Sequence, residues 1–199
     1  MPESPGSGSQ PTVEDRPATP TVAEIFLSRS RYWLTKEYPI KLRHCVTALP
    51  TSAVWARPNA TSNSVGNLLT HLTGNVTEWI LGGVGGRPVD RHRAAEFTRR
   101  AGADAPRLLD ELDAVLREVD QVLAALGATD LERSIVIQGR ETTVLGAIYH
   151  VVEHFAMHTG QIIYLTKIYV PGKIHFYEDA GGLARPTWQK GTALDEPAH

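Results

Sequence analysis

Four stretches of the chain repeat apolar residues every three or four positions, which is the spacing of an amphipathic helix. The first begins at Thr21, which forms a capping-box pattern with Glu24. We expect a kink or break near Tyr38, because Pro39 removes one hydrogen bond of the helix and crowds the preceding turn. The four predicted helices cover residues 21–49, 64–81, 104–126 and 143–169.

Two short runs before the last helix have the character of β-strands. Residues 134–138 and 141–144 flank Gly139, which supplies the bend of a hairpin. Each long helix has one apolar face and needs partners to cover it. The sequence therefore predicts an all-α fold, a single four-helix bundle with a short β-hairpin before the last helix.

The two ends of the chain differ from the middle in composition. Residues 1–19 are dense in proline, glycine and serine and contain few large apolar groups, so we expect a disordered tail. Residues 181–199 are predicted to be a loosely ordered C-terminal tail. The bundle domain is therefore expected to cover residues 20–180, and the overall apolar fraction of 42% fits a globular protein.

Charge and cysteine content exclude several classes of protein. The formal net charge is −2, so the chain has no general attraction for nucleic acid or anionic lipid. Five arginines lie between Gly82 and Ala103, and we interpret this segment as a solvated connection rather than a phosphate-binding patch. Cys45 is the sole cysteine and can form neither an internal disulfide nor a thiolate metal site. With neither a signal peptide nor a membrane span in the sequence, we expect a cytoplasmic protein.

Histidine is the residue type that suggests chemistry, with eight in the chain. On the last predicted helix, His150, His154, His158 and Gln161 form one stripe beside the apolar face. Two imidazoles four residues apart can share a metal ion, and His71 at the edge of the second helix's apolar face is the best third ligand. Three imidazoles suit one divalent ion of zinc, nickel or iron and leave coordination positions open.

Other polar residues are predicted to surround this centre. By helical geometry, Asn67, Asn75 and Glu78 lie on the same side of the second helix as His71, whereas His150 and Gln161 lie on the same side of the last helix as His154 and His158. The predicted neighbours of the metal are Asn67, Asn75, Glu78, His150 and Gln161. Arg140 is a weaker candidate for binding a substrate carboxylate, since a solvated surface role is the simpler interpretation.

Two alternative interpretations of the histidines stay open at this stage. Residues 150–154 read HVVEH and fit the inverted zinc-peptidase pattern H-x-x-E-H. However, Glu153 lies about 100° from His154 around the helix, toward its polar side, which does not favour a peptidase. A histidine pair at this spacing also arises by chance, with the imidazoles serving only in packing.

Three motifs together resemble the DinB-like superfamily, and within it a bacterial branch. They are VWARPN at 54–59, NSVGNLLTHL at 63–72 and HFAMHTGQI at 154–162. The similarity extends from about Val22 to Tyr177. It implies a four-helix bundle with up-down-down-up topology, usually a homodimer, that holds a divalent metal with His71, His154 and His158.

Some relatives within this resemblance are metal-dependent enzymes that use a low-molecular-weight thiol, and others have no known reaction. We therefore expect a metal-dependent enzyme acting on a small molecule, either a thiol S-transferase or a hydrolase. The alternative is a non-enzymatic, stress-associated bundle with a structural or regulatory metal. Neither nucleic acid nor membrane is an expected partner.

Overall fold

The computed structural model describes residues 19–187, and these residues are mainly helical. The seven α-helices in this part of the chain are α1 (Val22–Tyr32), α2 (Tyr38–Ala48), α3 (Val65–Val76), α4 (Arg93–Thr98), α5 (Ala105–Ala124), α6 (Ala128–Leu131) and α7 (Val144–Tyr169). A π-helical segment, Trp33–Glu37, joins α1 to α2, and another, Thr77–Val84, extends α3. A single 3-10 turn occupies Thr51–Ala53. The predicted termini 1–18 and 188–199 lie outside the described residues.

We expected a kink or a break near Tyr38; the helix does not break there, and a π-helical segment accommodates Pro39 instead. Tyr38 donates its backbone N–H to the carbonyl of Trp33, five residues back, so the turn widens just before the proline. Pro39 then occupies the first turn of α2, where a missing N–H costs little. The first long helix therefore runs on through Ala48 without a break.

Cross-helix contacts establish the direction of each long helix. Arg31, early in the first helix, pairs with Asp120 late in α5, whereas Arg43 pairs with Asp113 one to two turns earlier. The first helix and α5 are therefore antiparallel. The α3 segment is antiparallel to α7, as the following pairs show: His71 with His154, and Trp79 with His150.

The first helix and α7 run in the same direction. Tyr38 packs on Phe155, with ring centroids 6.2 Å apart, and farther along both helices Cys45 lies near Thr166. Together with the two antiparallel pairs, this gives the up-down-down-up order. The predicted all-α bundle is confirmed, including its topology.

The hairpin before the last helix is also confirmed. Strand β1 (Ser134–Ile137) pairs antiparallel with β2 (Arg140–Thr143). Gln138 and Gly139 have φ of 54° and 74°, so both turn residues adopt the left-handed conformation that matches strand twist. Thr143 ends the hairpin and caps α7 by accepting the N–H of Gly146 at 3.1 Å. The hairpin thus fixes where α7 begins.

One apolar core lies between the four long helices. Its fully buried side chains come from every one of them and include Leu34, Leu42, Leu72, Ile80, Leu112 and Phe155. The histidines lie at the border of this core, so they sit in a poorly hydrated setting. None of the helices described between residues 19 and 187 is long and apolar enough to cross a bilayer.

Two segments differ from the sequence expectations. The connection 82–103 is not uniformly solvated, because it contains α4 with a buried glutamate, Glu96. Within the predicted C-terminal tail 181–199, residues Ala184–Pro186 form strand β4, which pairs with β3 (Tyr177–Asp179). Apolar periodicity does not reveal either element, because both are short.

Candidate metal centre

Three histidine side chains converge between α3 and α7. The Nε2 atom of His154 lies 3.0 Å from Nε2 of His71 and 3.1 Å from Nε2 of His158. All three nitrogens lie within 4.8 Å of one another, and this set can hold a metal ion. His71 and His158 are buried, and His154 is partly buried.

Local helix signals bring the three rings together. Ser64 caps α3 by accepting the N–H of Asn67, which sets the phase of the helix and turns His71 toward α7. His154 and His158 are one turn apart on α7 and therefore face the same side. Since α3 and α7 are antiparallel neighbours, His71 meets the pair midway along both helices.

Hydrogen bonds at the far ring nitrogens fix two of the tautomers. Nδ1 of His71 lies 2.7 Å from a carboxylate oxygen of Glu96, and Nδ1 of His158 lies 2.7 Å from Oε1 of Gln161. Both partners are acceptors. Nη2 of Arg91, a donor, also lies 3.1 Å from Nδ1 of His71, but it donates to the same Glu96 carboxylate, and the shorter contact of that carboxylate with Nδ1 requires a proton on Nδ1. Each Nδ1 therefore carries the proton and donates it. In both rings the lone pair is then on Nε2, pointing into the centre, as in metal-ligating histidines.

The middle histidine shows that the arrangement fits a cation. Nε2 of His154 faces the lone pairs of both other rings, and a single proton could satisfy only one of them. Its Nδ1 is buried without a hydrogen-bond partner among the described residues. For tetrahedral ligands about 2.0–2.1 Å from a zinc ion, nitrogens lie about 3.3 Å apart, close to the 3.0 and 3.1 Å that separate Nε2 of His154 from the Nε2 atoms of His71 and His158. The residues therefore fit a divalent ion held by three Nε2 atoms.

His154 and His158 are held neutral, which is the state in which an imidazole ligates a metal. Burial, together with the nearby rings of His158 and His71, lowers the pKa of His154 to about 3. Burial also lowers the pKa of His158, although its bond to Gln161 opposes the shift. At neutral pH neither ring carries a charge, so both offer a lone pair.

A buried ionic network supports His71 from the connection that we expected to be solvated. Arg91 contacts Glu96 through two hydrogen bonds of 2.6 and 2.8 Å and contacts Glu78 at 2.6 Å. Side-chain exposure is 6% for Arg91 and 8% for Glu96, so this part of the prediction is wrong. Burial alone would raise the pKa of Glu96, but the bonds from Arg91 and His71 outweigh it and hold this pKa below its usual value.

A glycine makes room for that carboxylate. Any side chain at Gly74 would collide with Glu96, whose carboxylate packs directly against the α3 backbone there. Gly74 is three residues after His71, so the glutamate reaches the imidazole across the bare helix surface. The pairing of Glu96 with His71 thus depends on the glycine at position 74 as well as on a hydrogen bond.

The motif residues before the site clamp the segment that carries Glu96. Asn67, predicted to be among the polar residues around the metal, acts on this segment: its amide donates to the carbonyls of Glu96 and Arg99 at 2.8 and 3.1 Å. Arg57 donates to the carbonyl of Phe97, and Trp55 donates to that of Ala103 at 3.0 Å. These bonds fix the backbone at Glu96 and in the residues that follow it, as far as Ala103.

The other predicted neighbours take different places. Glu78 acts through Arg91 and also accepts from Gln138 at 2.7 Å. Asn75 is buried, and its Oδ1 has no partner among the described residues. His150 packs on Trp79, with ring centroids 4.1 Å apart, and its ring lies 5.6 Å from that of His154.

Arg140 lies on the exposed hairpin strand near this edge of the site. Burial lowers the pKa of His150, and the positive charge of Arg140 contributes to the same shift against the opposing charge of Glu153. Arg140 is therefore close enough to His150 to act on it electrostatically. No direct contact joins Arg140 to the three converging histidines within residues 19–187.

Sequence reasoning missed Arg91, Glu96 and Phe97. Phe97 packs against His71, with ring centroids 4.5 Å apart, and the guanidinium of Arg93 lies 5.0 Å from the centroid of the Phe97 ring. The mixture of arginines with acidic residues was the available signal, but it is equally typical of a solvated loop. Only the fold shows which arginine turns inward.

The fold and the three-histidine site together define a class: four-helix bundles that bring histidines from two antiparallel helices to one point. The chain belongs to the family described as "Protein of unknown function (DUF1572)", whose model matches residues 22–175. The predicted membership of the DinB-like superfamily is confirmed.

A solved structure supports the same fold. YfiT from Bacillus subtilis, described as "a probable metal-dependent hydrolase with an unusual four-helix bundle topology", is 17% identical to this chain. The similarity has a TM-score of 0.61 and covers 77% of this chain and 93% of YfiT. A search of curated proteins gives no sequence match.

Proposed function

We propose that this protein is a metal-dependent hydrolase of small molecules, with His71, His154 and His158 as ligands of one divalent ion. The observation that carries the proposal is the convergence of three Nε2 atoms, two of which have their lone pairs fixed inward. The similarity to YfiT, described as a probable metal-dependent hydrolase, supports the choice of reaction. Zinc, nickel and iron all suit this donor set.

When bound, a divalent ion held by His71, His154 and His158 would supply Lewis-acid chemistry and would lower the pKa of a nucleophile toward neutral pH. The chain's own residues orient the ligands. Glu96 and Gln161 hold the Nδ1 protons of two ligands, and Arg91 holds Glu96. Nδ1 of His154 and Oδ1 of Asn75 are both buried, and neither has a hydrogen-bond partner among the described residues. Nδ1 of His154 needs an acceptor when Nε2 ligates a metal, and a small movement of Asn75 is proposed to supply it.

His150 and Arg140 are proposed to contact the substrate. His150 is a half-buried imidazole at the edge of the site, and Arg140 adds a positive charge beside it. This combination suits a small molecule that carries a carboxylate close to the reacting group. Binding of such a substrate at the hairpin edge would leave the deeper histidines free to hold the metal.

The nucleophile distinguishes hydrolysis from the second candidate, thiol S-transfer, which the family resemblance implies. Cys45 cannot serve, because burial raises the pKa of its thiol to about 11 and it lies in the core. A reactive sulfur would therefore have to arrive with a low-molecular-weight thiol. A homodimer and a cytoplasmic location, both expected from the sequence, stay predictions.

Metal binding is the first test of this proposal. Calorimetric titration with Zn²⁺ should show one ion per chain, and binding should be lost in His154→Ala. Glu96→Gln keeps the shape but weakens the acceptor of His71, and should lower affinity by about 10–100-fold. His92→Ala, an exposed histidine outside the site, is the matched control and should bind as the parent does.

Turnover is the second test, with the zinc-, nickel- and iron-loaded proteins assayed on a panel of small esters and amides. Hydrolysis that disappears in His154→Ala and weakens in Arg140→Met supports the proposal. Turnover only when a small thiol is added would assign S-transfer instead. A metal whose removal sharply lowers the melting temperature, with no turnover of any substrate, would instead support the structural or regulatory role.

A further inference from the structure

The outer face of α7 is exposed and carries large apolar side chains. We define it as the α7 face, the side of the helix that points away from the core. Its exposed apolar residues are Leu145, Tyr149, Met157, Tyr164 and Ile168. Monomeric proteins rarely leave such a contiguous row uncovered, and patches of this kind commonly mark protein interfaces.

The centre of the α7 face is bare. Gly160 is exposed, and a side chain placed there would meet no atom of the described chain within 4 Å. Ala156, one turn earlier, is also exposed and adds only a methyl group. A second helix can therefore approach the α7 backbone closely at this point.

The charges on the α7 face are arranged symmetrically around that glycine. Glu153 lies seven residues before Gly160 and Lys167 lies seven residues after it. Seven residues are nearly two helical turns, so both side chains point within about 20° of the direction of Gly160, each about 10 Å along the axis. Both are exposed, and neither forms an ion pair within residues 19–187.

This arrangement is complementary to itself. When two copies of α7 pack antiparallel across a two-fold axis through Gly160, Glu153 of each copy faces Lys167 of the other. Ala156 of each copy then faces Tyr164 of the other, so a small side chain meets a large one. An isologous interface requires this exchange of positions, in which each residue contacts its counterpart twice.

We propose that the α7 face is a homodimer interface, formed by two antiparallel α7 helices that cross at Gly160 and are joined by two Glu153–Lys167 ion pairs. The family resemblance implied a dimer without naming a surface, and this proposal names it. It is independent of the metal and of the reaction. Its tests measure association alone, so the failure of either proposal leaves the other intact.

Charge reversal tests the ion pairs. In sedimentation velocity on the full chain, Glu153→Lys and Lys167→Glu should each raise the dimer dissociation constant by about tenfold or more, because each replaces two attractions with two repulsions. The double variant should restore it to near the parent value. Glu132→Lys, an exposed reversal away from the α7 face, is the matched control and should have no effect.

A cysteine at the axis tests the geometry directly. Cys45 is the sole cysteine and is buried, so Gly160→Cys introduces a single accessible thiol. Mild oxidation should join two copies rapidly by a disulfide at this position, whereas Gln121→Cys, an exposed position on α5, should form no cross-linked dimer under the same conditions. A monomer at all concentrations, a double variant that is not restored, or equal cross-linking of both cysteine variants would overturn the proposal.

Discussion

Arginine–carboxylate pairs occur in two regions of the bundle, and burial separates their roles. Beneath His71, Arg91 is 6% exposed and bridges Glu96 and Glu78. Between the first helix and α5, Arg31 is 40% exposed and pairs with Asp120, with a similar pair at Arg43. The chemistry is the same, but in the first region water cannot replace a lost partner. We therefore expect the buried Arg91 network to determine the geometry of the site, and the exposed Arg31 and Arg43 pairs to contribute little to stability.

Removing the buried arginine should have the largest effect. Arg91→Met leaves Glu96 and Glu78 without their shared partner in a poorly hydrated setting, and should destabilise the metal-free protein by about 3–5 kcal/mol. Urea unfolding followed by circular dichroism measures the change. Arg31→Met is the matched control from the exposed region, and a loss no larger than that of the control would show that burial does not distinguish the two regions.

The site around Arg91 was only half predictable from the sequence. His154 and His158 could be paired because helical spacing alone places them on one face. His71 could be predicted as the third ligand only from its position at the edge of an apolar face together with the family resemblance. Arg91 and Glu96 could not be chosen, because an irregular connection has no periodicity to show which side chains turn inward.

The fold was more predictable than the site, for a related reason. The four long helices follow from apolar spacing, and the capping box predicted at Thr21 and Glu24 is present. The π-helical segments were missed because they depend on a shift of backbone hydrogen bonds that no side-chain pattern encodes. At Pro39 that shift turned an expected break into a continuous helix.

Acid should separate the two regions by the pH at which each loses stability. His154 has a pKa of about 3 in the folded chain against a reference value of 6.5. Between these two pH values, His154 is protonated in the unfolded chain but not in the folded chain. The stability of the metal-free protein should therefore be constant above pH 6.5 and fall as pH drops toward 3, by up to about 1.4 kcal/mol per unit for one proton.

The exposed region should respond only at lower pH. The hydrogen bonds from Arg31 lower the pKa of Asp120 from 3.8, so its contribution is lost only below that value. Unfolding measured at a series of pH values, in parent and His154→Gln, distinguishes the two windows. The substitution should flatten the slope between pH 6.5 and 4, and an unchanged slope there would argue against a neutral, buried His154.

Breaking an exposed pair should have the smallest effect. Arg31→Met removes two hydrogen bonds of 2.8 and 3.0 Å to Asp120, yet both side chains keep access to water, and the cost should be about 0.2–1 kcal/mol. A double-mutant cycle with Asp120→Asn isolates the pair from other effects of either change. Its coupling energy should shrink in high salt, because mobile ions screen exposed charges. A coupling above about 2 kcal/mol that salt leaves unchanged would mean that this pair, too, is effectively buried, for example under a neighbouring molecule, and that exposure in the single chain does not decide its role.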